Sequence, residues 1–248
     1  MKVLVTGGAG YMGSQLVPLL LTDGHSVRVV DRLDFGGRSL LGAWAHPDFE
    51  FVRADICDAG SMAGAVAGTD AVVHLAAVVG DPACARDPDT ARRINLDASL
   101  RLLESAKSSS VSRFVFASTC SNYGRMADTS ALLDEECELK PLSVYAETKV
   151  EFERTLLGAN GIYATVLRFA TLFGASPRIR FDLTVNEFTM ELLRHGKLVV
   201  FGEQFWRPYV HVRDAARAIR LVLGAPEEKV AGEVFNIGDS EQNFQKQQ

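Results

Sequence analysis

The stretch KVLVTGGAGYMG, residues 2–13, decides the fold of this chain. Its first five residues form an apolar run with strand character, and a glycine-rich loop follows directly. Leucines then recur at the spacing of one helical face over residues 16–20. A second strand is predicted over residues 26–30, and Asp31 closes it. This order of strand, glycine loop, helix, strand and acid is the order that a dinucleotide-binding site requires.

The chemistry of such a site explains each residue type. Gly7 allows a sharp turn off the strand, a side chain at Gly10 would block a pyrophosphate, and Gly13 lets the helix lie close to the sheet. Backbone N–H groups and the helix dipole then face the phosphates. The Asp31 carboxylate accepts hydrogen bonds from ribose hydroxyls and repels a 2′-phosphate, which favours NAD over NADP. Arg32 follows directly and softens that preference.

Composition narrows the class of protein. The 248 residues are 47% hydrophobic, enough for one large core, and the net charge of −5 argues against nucleic-acid binding. No apolar run approaches the roughly 20 residues that cross a bilayer, and Met1 begins the first strand too early for a signal peptide. The cysteines and histidines lack metal-ligand spacing, so no metal is expected. We expect a reduced cytoplasmic protein without membrane partners.

Strand and helix patterns alternate along most of the chain, which predicts an α/β fold with a doubly wound parallel sheet. A strand ending near Asp55 places an acid where it meets an adenine amino group. Another, over residues 71–75, is followed by small residues that leave room for a ligand. A long helix is predicted over residues 87–107. The acid-rich polar segment Gly124 to Leu142 is predicted to be a surface loop or part of a lid. After Arg168 the alternation becomes irregular, with a basic loop over residues 175–182 that carries Arg178 and Arg180, and with a short strand over residues 198–201.

Two residues four apart carry the predicted chemistry. Tyr145 and Lys149 share one face of a helix predicted to begin at Ser143. A neighbouring ammonium and a positively charged nicotinamide both favour the phenolate, so Tyr145 is expected to exchange a proton with a substrate hydroxyl near neutral pH. Thr119, at the end of a predicted strand, is placed to hydrogen-bond the same substrate oxygen.

Taken together, these motifs give the chain a resemblance to the extended short-chain dehydrogenase/reductases, specifically the NAD-dependent nucleotide-sugar epimerase/dehydratase group. The matching pieces run from residue 3 to residue 238. They are residues 6–13, Asp31, Asp55–Ile56, residues 74–77, Asn95, Ser118–Thr119, Tyr123–Gly124, Tyr145–Lys149, residues 207–214 and residues 235–238.

The resemblance implies roles for individual residues. Thr119, Tyr145 and Lys149 match the catalytic triad of the group. Asn186 and Arg207 match positions that hold the nucleotide diphosphate of the sugar substrate, and Thr171 stands where the epimerases often place Asn. The expected cofactor contacts are Gly7, Gly10, Tyr11, Met12, Gly13, Asp31, Arg32, Asp55, Ile56, Leu75, Ala76, Ala77, Asn95, Tyr145 and Lys149.

The resemblance also implies an architecture and a reaction. We expect a Rossmann-type NAD-binding domain over residues 1–168 and a small substrate lobe over residues 169–248, interleaved with the last sheet strands and apparently incomplete. Enzymes of this family group remove a proton from the sugar O4 while hydride passes from the sugar C4 to NAD. An epimerase then returns the hydride to the other face of C4. Members commonly pair through two helices, so a homodimer is expected.

Departures from the pattern separate the possible activities. Dehydratases of the group usually carry an acid within two residues after the catalytic Thr, whereas this chain has Cys120 and Ser121. This difference favours epimerisation or simple ketone reduction over dehydration. Between these two, Asp31 favours retained NAD and hence a redox-neutral nucleotide-sugar 4-epimerase. A nucleotide-sugar ketoreductase or dehydratase is the alternative enzyme. A non-catalytic NAD-responsive binding protein is the alternative of another class, and the Tyr145/Lys149 pair argues against it.

Overall fold

The structure is a computed structural model that describes residues 1–109, 111–124 and 132–248. Part of the acid-rich stretch between Gly124 and Leu142, predicted as a surface loop or lid, lies outside these residues. The main sheet has seven parallel strands in the order β3-β2-β1-β4-β5-β6-β9. The strands are β1 Lys2–Thr6, β2 Ser26–Asp31, β3 Phe49–Arg53, β4 Ala71–His74, β5 Arg113–Thr119, β6 Tyr163–Phe169, β7 Thr171–Phe173, β8 Trp206–His211, β9 Glu233–Ile237 and β10 Asn243–Gln245.

In the described part of the chain, helices lie in most of the connections between the parallel strands, and the β2–β3 connection has only the 3-10 turn Arg38–Leu40. The helices are α1 Gly13–Thr22, α2 Ala59–Val66, α3 Asp81–Arg86, α4 Pro88–Arg92, α5 Ala98–Lys107, α6 Val144–Leu157, α7 Thr184–His195 and α8 Val212–Gly224. The long helix predicted over residues 87–107 is thus built from α4 and α5, and a π-helical turn, Arg93–Asp97, joins them.

Side chains alternate between the two faces of the sheet and create two cores. Val3 and Val5 of β1 point to the face covered by α1 and α8, whereas Leu4 points to the face covered by α2, α5 and α6. All three are fully buried. Burial on both faces is typical of parallel sheets, and the predicted doubly wound α/β fold is confirmed.

A smaller sheet of order β10-β8-β7 is interleaved with the main one along the chain, because β7 and β8 precede β9 and β10 follows it. The short strand predicted over residues 198–201 is wrong, because that stretch has no regular structure. The reason lies in the pairing: β8 is flanked by β7 and β10, so both of its edges are already occupied. Strand β9 pairs with β6 in the main sheet, and helix α8 packs on the same face of that sheet as α1. The division into two domains at residue 168 stays a prediction.

Candidate active site

The glycine loop after β1 brings the backbone close to neighbouring loops. Gly7 has a φ of +73°, and a Cβ there would lie 2.8 Å from the backbone nitrogen of Ala76. A Cβ at Gly13, the first residue of α1, would lie 2.6 Å from the Gly7 carbonyl oxygen. Only glycine fits such contacts. Within the described residues, the N–H groups of Tyr11 and Met12 donate to no acceptor, so they suit the phosphates expected at a helix N-terminus.

Gly10 completes the turn of this loop. Its N–H donates to the Gly7 carbonyl over 3.0 Å, and its own carbonyl accepts from the Ser14 N–H over 3.0 Å. A Cβ at Gly10 would lie 3.1 Å from the Gly7 oxygen. The loop is therefore a tight, hydrogen-bonded cradle with its donors at the mouth of α1.

Asp31 lies at the carboxyl end of β2, beside this cradle. One carboxylate oxygen accepts from the Ala9 N–H over 3.0 Å and the other from the Leu33 N–H over 2.8 Å. Each oxygen keeps a second lone pair for a ribose hydroxyl. The fixed negative charge suits a free 2′-hydroxyl and repels a 2′-phosphate.

Arg32 forms ion pairs with two aspartates. Its guanidinium pairs with Asp55 over 3.0 Å and with Asp34 over 3.1 Å. Burial acts to raise the pKa of Asp55, but hydrogen bonds from Cys57 and the charge of Arg32 outweigh it, so the pKa is lowered. Because its charge is shared between two carboxylates, Arg32 offers little to a 2′-phosphate. Ile56, the next predicted contact, is buried beneath this pair.

The loop after β4 forms the opposite wall. Leu75 and Ala76 donate their N–H groups to the carbonyl and hydroxyl oxygens of Thr6, and Ala77 continues the loop. Asn95 fixes the next residue: its amide oxygen accepts from the Val78 N–H over 2.8 Å, and its amide nitrogen donates to the Val78 carbonyl over 2.9 Å. Asn95 thus fixes the backbone of the loop after β4 at Val78.

The predicted catalytic residues converge at the carboxyl edge of the sheet. Thr119 ends β5, and its hydroxyl accepts from the Ser121 N–H over 3.1 Å. Tyr145 and Lys149 lie on the first turns of α6, and both are buried. The Lys149 ammonium donates to the Ala117 carbonyl over 2.8 Å and lies 5.9 Å from the centre of the Tyr145 ring.

Burial sets the protonation of this pair. It raises the pKa of Tyr145, and the Arg180 charge and the Thr119 hydroxyl only partly oppose it. It lowers the pKa of Lys149 to about 7, with the nearby Cys84 thiol acting in the opposite direction. The expectation of an acidic phenol is therefore wrong for the protein alone, because desolvation favours the neutral form of each group.

The predicted substrate residues lie on the smaller sheet and on α7. Thr171 is half-buried and begins β7, and Arg207 is exposed on β8. The Arg207 charge reaches Cys120, whose pKa is raised by burial and lowered in part by this arginine. The predicted contact of Arg207 with a diphosphate stays a prediction.

Asn186 is buried and its amide is fully engaged. The amide oxygen accepts from the Gly174 N–H over 2.9 Å, and the amide nitrogen donates to the Tyr11 hydroxyl over 3.2 Å and to the Arg180 carbonyl over 2.9 Å. The Tyr11 hydroxyl in turn donates to the Gly174 carbonyl over 2.7 Å. Asn186 thus joins the glycine loop to the basic loop. Its predicted contact with a diphosphate stays a prediction.

Sequence reasoning missed two features of this region. Arg180 is named there only as part of a basic loop, yet its charge acts on both Tyr145 and Tyr11. Glu153 and Arg168 form a buried ion pair behind Thr119. Glu153 follows Lys149 by four residues and Tyr145 by eight, so it shares their helical face, and that spacing is the signal that would have pointed to the pair.

The fold and this site together are those of a dinucleotide-dependent enzyme, with a buried tyrosine and lysine at the carboxyl edge of the sheet. The cradle, the Asp31 carboxylate and the small residues after β4 all fit NAD. Within the described residues, no cluster of His, Cys, Asp or Glu is arranged to hold a metal ion. In the same part of the chain, no helix combines the length and apolar character needed to span a membrane.

Comparison with known proteins agrees with this class. Residues 3–238 match the model of the NAD dependent epimerase/dehydratase family. The chain belongs to this family. It is an enzyme, and its cofactor is NAD.

The similar relatives include proteins of different activities. A Bacillus subtilis protein named an uncharacterised UDP-glucose epimerase is 34% identical, with 97% of this chain and 78% of the relative covered. A dTDP-glucose 4,6-dehydratase of Actinoplanes is 36% identical, with 96% and 76% covered. Among solved structures, the UDP-glucose 4-epimerase of Thermotoga maritima with UDP-glucose has a TM-score of 0.88, 31% identity, and 100% and 80% coverage.

Proposed function

We propose that the protein is an NAD-dependent nucleotide-sugar epimerase, acting at C4 of the sugar. The observation that carries the proposal is the buried Tyr145/Lys149 pair beside Thr119, at the sheet edge next to the glycine cradle. A binding protein has no use for a desolvated proton donor at that place. UDP-sugar 4-epimerases are among its similar relatives and structures.

The chain's own residues account for the proton transfer. Tyr145 accepts the proton of the sugar O4 hydroxyl, and Thr119 hydrogen-bonds the same oxygen. In its protonated form Lys149, held by the Ala117 carbonyl, supplies positive charge that stabilises the Tyr145 phenolate, the form that accepts the proton. When bound, NAD supplies the hydride acceptor and a positive ring charge. A 4-keto sugar would result. After this sugar rotates in the site, return of the hydride to the opposite face of C4, with return of the proton from Tyr145 to O4, would invert C4.

The residues after Thr119 favour epimerisation over dehydration. Removal of water between C5 and C6 needs acid and base groups near the ring, and here Cys120 and Ser121 follow the catalytic threonine. Burial raises the pKa of Cys120, so its thiol stays protonated and is a poor base. Dehydration is the second candidate, because dTDP-glucose 4,6-dehydratases are equally similar to this chain.

A cavity beside Asn186 supports a nucleotide substrate. Its volume is about 740 Å³, within the range typical of small-molecule sites. It is lined by Phe173, Gly174, Ile179, Val185, Asn186 and Met190, among others. Its mainly apolar walls, with Thr189 and Arg194 as further polar residues, suit a base and ribose, and we assign the diphosphate to Arg207 as part of the same proposal.

The proposal also covers the cellular location, the assembly and the substrate lobe of the enzyme. Cys57, Cys84, Cys120 and Cys137 are all free thiols, which fits a reducing cytoplasm. A homodimer through α4–α5 and α6 is part of the same proposal, as is the assignment of residues 169–248 to the substrate lobe.

A product analysis tests the proposal. The protein is incubated with NAD and a panel of UDP- and dTDP-sugars, and products are analysed by mass spectrometry and NMR. We expect an isomer of unchanged mass that is inverted at C4. Loss of about 18 mass units, the mass of one water, indicates the dehydratase instead, and no product across the panel contradicts both candidates.

A further inference from the structure

A buried polar network lies directly behind the catalytic residues. Its centre is the ion pair of Glu153 on α6 with Arg168 on β6, whose side chains are 2% and 5% exposed. Arg168 donates to one carboxylate oxygen through its Nε over 3.0 Å and also through Nη2. Burial alone would lower the pKa of Arg168, but Glu153 and Tyr123 outweigh it and raise the pKa. The pair is therefore charged and tightly held.

The second oxygen of Glu153 holds the strand that carries Thr119. It accepts from the Ser118 hydroxyl over 2.9 Å and from the Asn122 amide over 3.1 Å. Asn122 also donates to the Ser118 hydroxyl over 3.0 Å. Ser118 and Asn122 flank the turn that begins at Thr119, so the carboxylate fixes both sides of that turn.

The other side of Arg168 holds the ends of two further segments. Arg168 donates to the Tyr123 hydroxyl over 2.9 Å and to the Glu135 carbonyl over 3.0 Å. The Tyr123 hydroxyl donates to the Asn236 amide oxygen over 2.7 Å, and the Asn236 N–H donates to the Glu135 carboxylate over 2.6 Å. The network thus ties β5, α6, β6 and β9 together at one edge of the sheet.

We infer that Glu153, through its pair with Arg168, is a positioning residue that sets the distance between the Thr119 and Tyr145 hydroxyls. Glu153 lies one turn beyond Lys149 and two turns beyond Tyr145 on the same face of α6. A single rigid carboxylate therefore joins the helix that carries the proton acceptor to the strand that carries its hydrogen-bonding partner. This inference rests on the proposed function, because it assigns the network a role in that reaction.

Matched variants separate positioning from stability. Glu153→Met leaves Arg168 charged, buried and unpaired, which is strongly destabilising. The double variant Glu153→Met with Arg168→Met removes both charges and is expected to recover most of the unfolding midpoint. Ser118→Ala keeps the ion pair and removes only the link to β5. Glu151→Met changes an exposed residue of α6 and is the control.

Steady-state kinetics on the sugar that the wild type turns over give the first readout. We expect the double variant to lose kcat on the order of 100-fold, the cost of a displacement of about 1 Å in a catalytic group, while KM stays close to wild type. Ser118→Ala is expected to lose kcat in the same direction to a smaller extent, and Glu151→Met to keep it. Recovery of kcat together with stability in the double variant overturns the inference.

Crystal structures of the NAD complexes give a readout that needs no substrate. We expect the separation of the Thr119 and Tyr145 hydroxyls to change by about 1 Å in the double variant and to stay unchanged in Glu151→Met. An unchanged separation in the double variant overturns the inference. If the wild type turns over no sugar, the proposed function fails, and this separation alone decides the role of the network.

Discussion

Tyr145 and Lys149 respond in opposite directions to the same surroundings. Burial favours the neutral form of both, so it raises the pKa of the phenol and lowers the pKa of the ammonium to about 7. The protein alone therefore holds a neutral phenol beside an amine that is close to half-protonated at pH 7. A positive charge bound next to the pair favours the phenolate, which couples proton transfer to occupancy of the cofactor site.

Removal of the Tyr145 hydroxyl tests its role. We expect Tyr145→Phe to lower kcat by roughly 10² to 10⁴-fold, the usual contribution of a general acid–base group, with KM little changed. Tyr163→Phe, at an exposed tyrosine, is the matched control. Equal kcat values for Tyr145→Phe and the wild type would show that another group transfers the proton.

His74 makes a second prediction, for stability against pH. Its ring bonds the hydroxyls of Thr6 and Ser99 over 2.7 and 2.8 Å, and burial lowers its pKa from 6.5 to about 3. Between these values the unfolded chain binds a proton that the folded chain does not, so stability falls as pH falls through this window.

Urea unfolding at a series of pH values measures this effect. We expect His74→Gln to reduce the pH dependence of the free energy of unfolding between pH 3 and 6.5 by up to about 1.4 kcal/mol per pH unit. His195→Gln, at an exposed histidine, should keep the wild-type slope. An unchanged slope in His74→Gln would mean that His74 is protonated in the folded protein.

At the scale of elements, the π-helical turn Arg93–Asp97 explains how the loop after β4, the wall opposite the glycine cradle, is held in place. The turn places Asn95 where its amide bonds both backbone groups of Val78, and it interrupts an otherwise continuous helix. Extra-residue turns of this kind are frequent at functional sites.

Loss of the Asn95 amide should loosen this wall. Asn95→Ala leaves the half-buried N–H of Val78 without its acceptor and leaves the Val78 carbonyl with the Cys84 thiol as a weak donor, which costs about 1 kcal/mol of stability. We expect weaker NAD binding in the same variant, measured by calorimetry on the cofactor-free protein. Asp97→Ala changes an exposed residue of the same turn and should keep both values. Unchanged NAD affinity in Asn95→Ala would separate the turn from the cofactor site.

The elements that could be predicted are those whose signals are local. The glycine loop, the strand before it and the start of a helix at Ser143 each depend on a few adjacent residues. Each is confirmed, with Ser143 as the N-cap of α6. The strand predicted over residues 198–201 fails because strand formation depends on a free partner edge, which no local pattern reveals. Glu153 lies on α6 and Arg168 on β6. Their pairing depends on how these elements pack, so no local sequence pattern predicts it.

At the scale of the whole molecule, one seven-stranded sheet collects contributions from nearly the full chain. Strand β9 pairs with β6 although about 64 residues separate Phe169 from Glu233 along the sequence. Thr119, Tyr145 and the Asn236 amide meet at the same edge for this reason. The order of strands, and with it the position of the site, follows from the alternation of elements that the sequence shows.

Assembly is a prediction at this scale. Sedimentation of the protein should give a mass twice the 27.0 kDa of one chain, because the proposed dimer pairs α4–α5 and α6 of two copies. Charge reversal at Arg92, which forms an exposed ion pair with Glu147 between these helices, should weaken the dimer. The same reversal at Arg217 on α8 is the control. A single-chain mass at micromolar concentration would contradict the pairing.

The fate of the hydrogen at C4 tests the central claim, that Tyr145 and NAD act together in a redox-neutral inversion. A nucleotide sugar deuterated at C4 is incubated with the NAD-loaded protein, and the product is examined by NMR. We predict a C4 epimer that keeps the deuterium at C4, because the same hydride leaves and returns. Deuterium found at another carbon, or lost to free NADH with a stable keto sugar as product, would contradict the account.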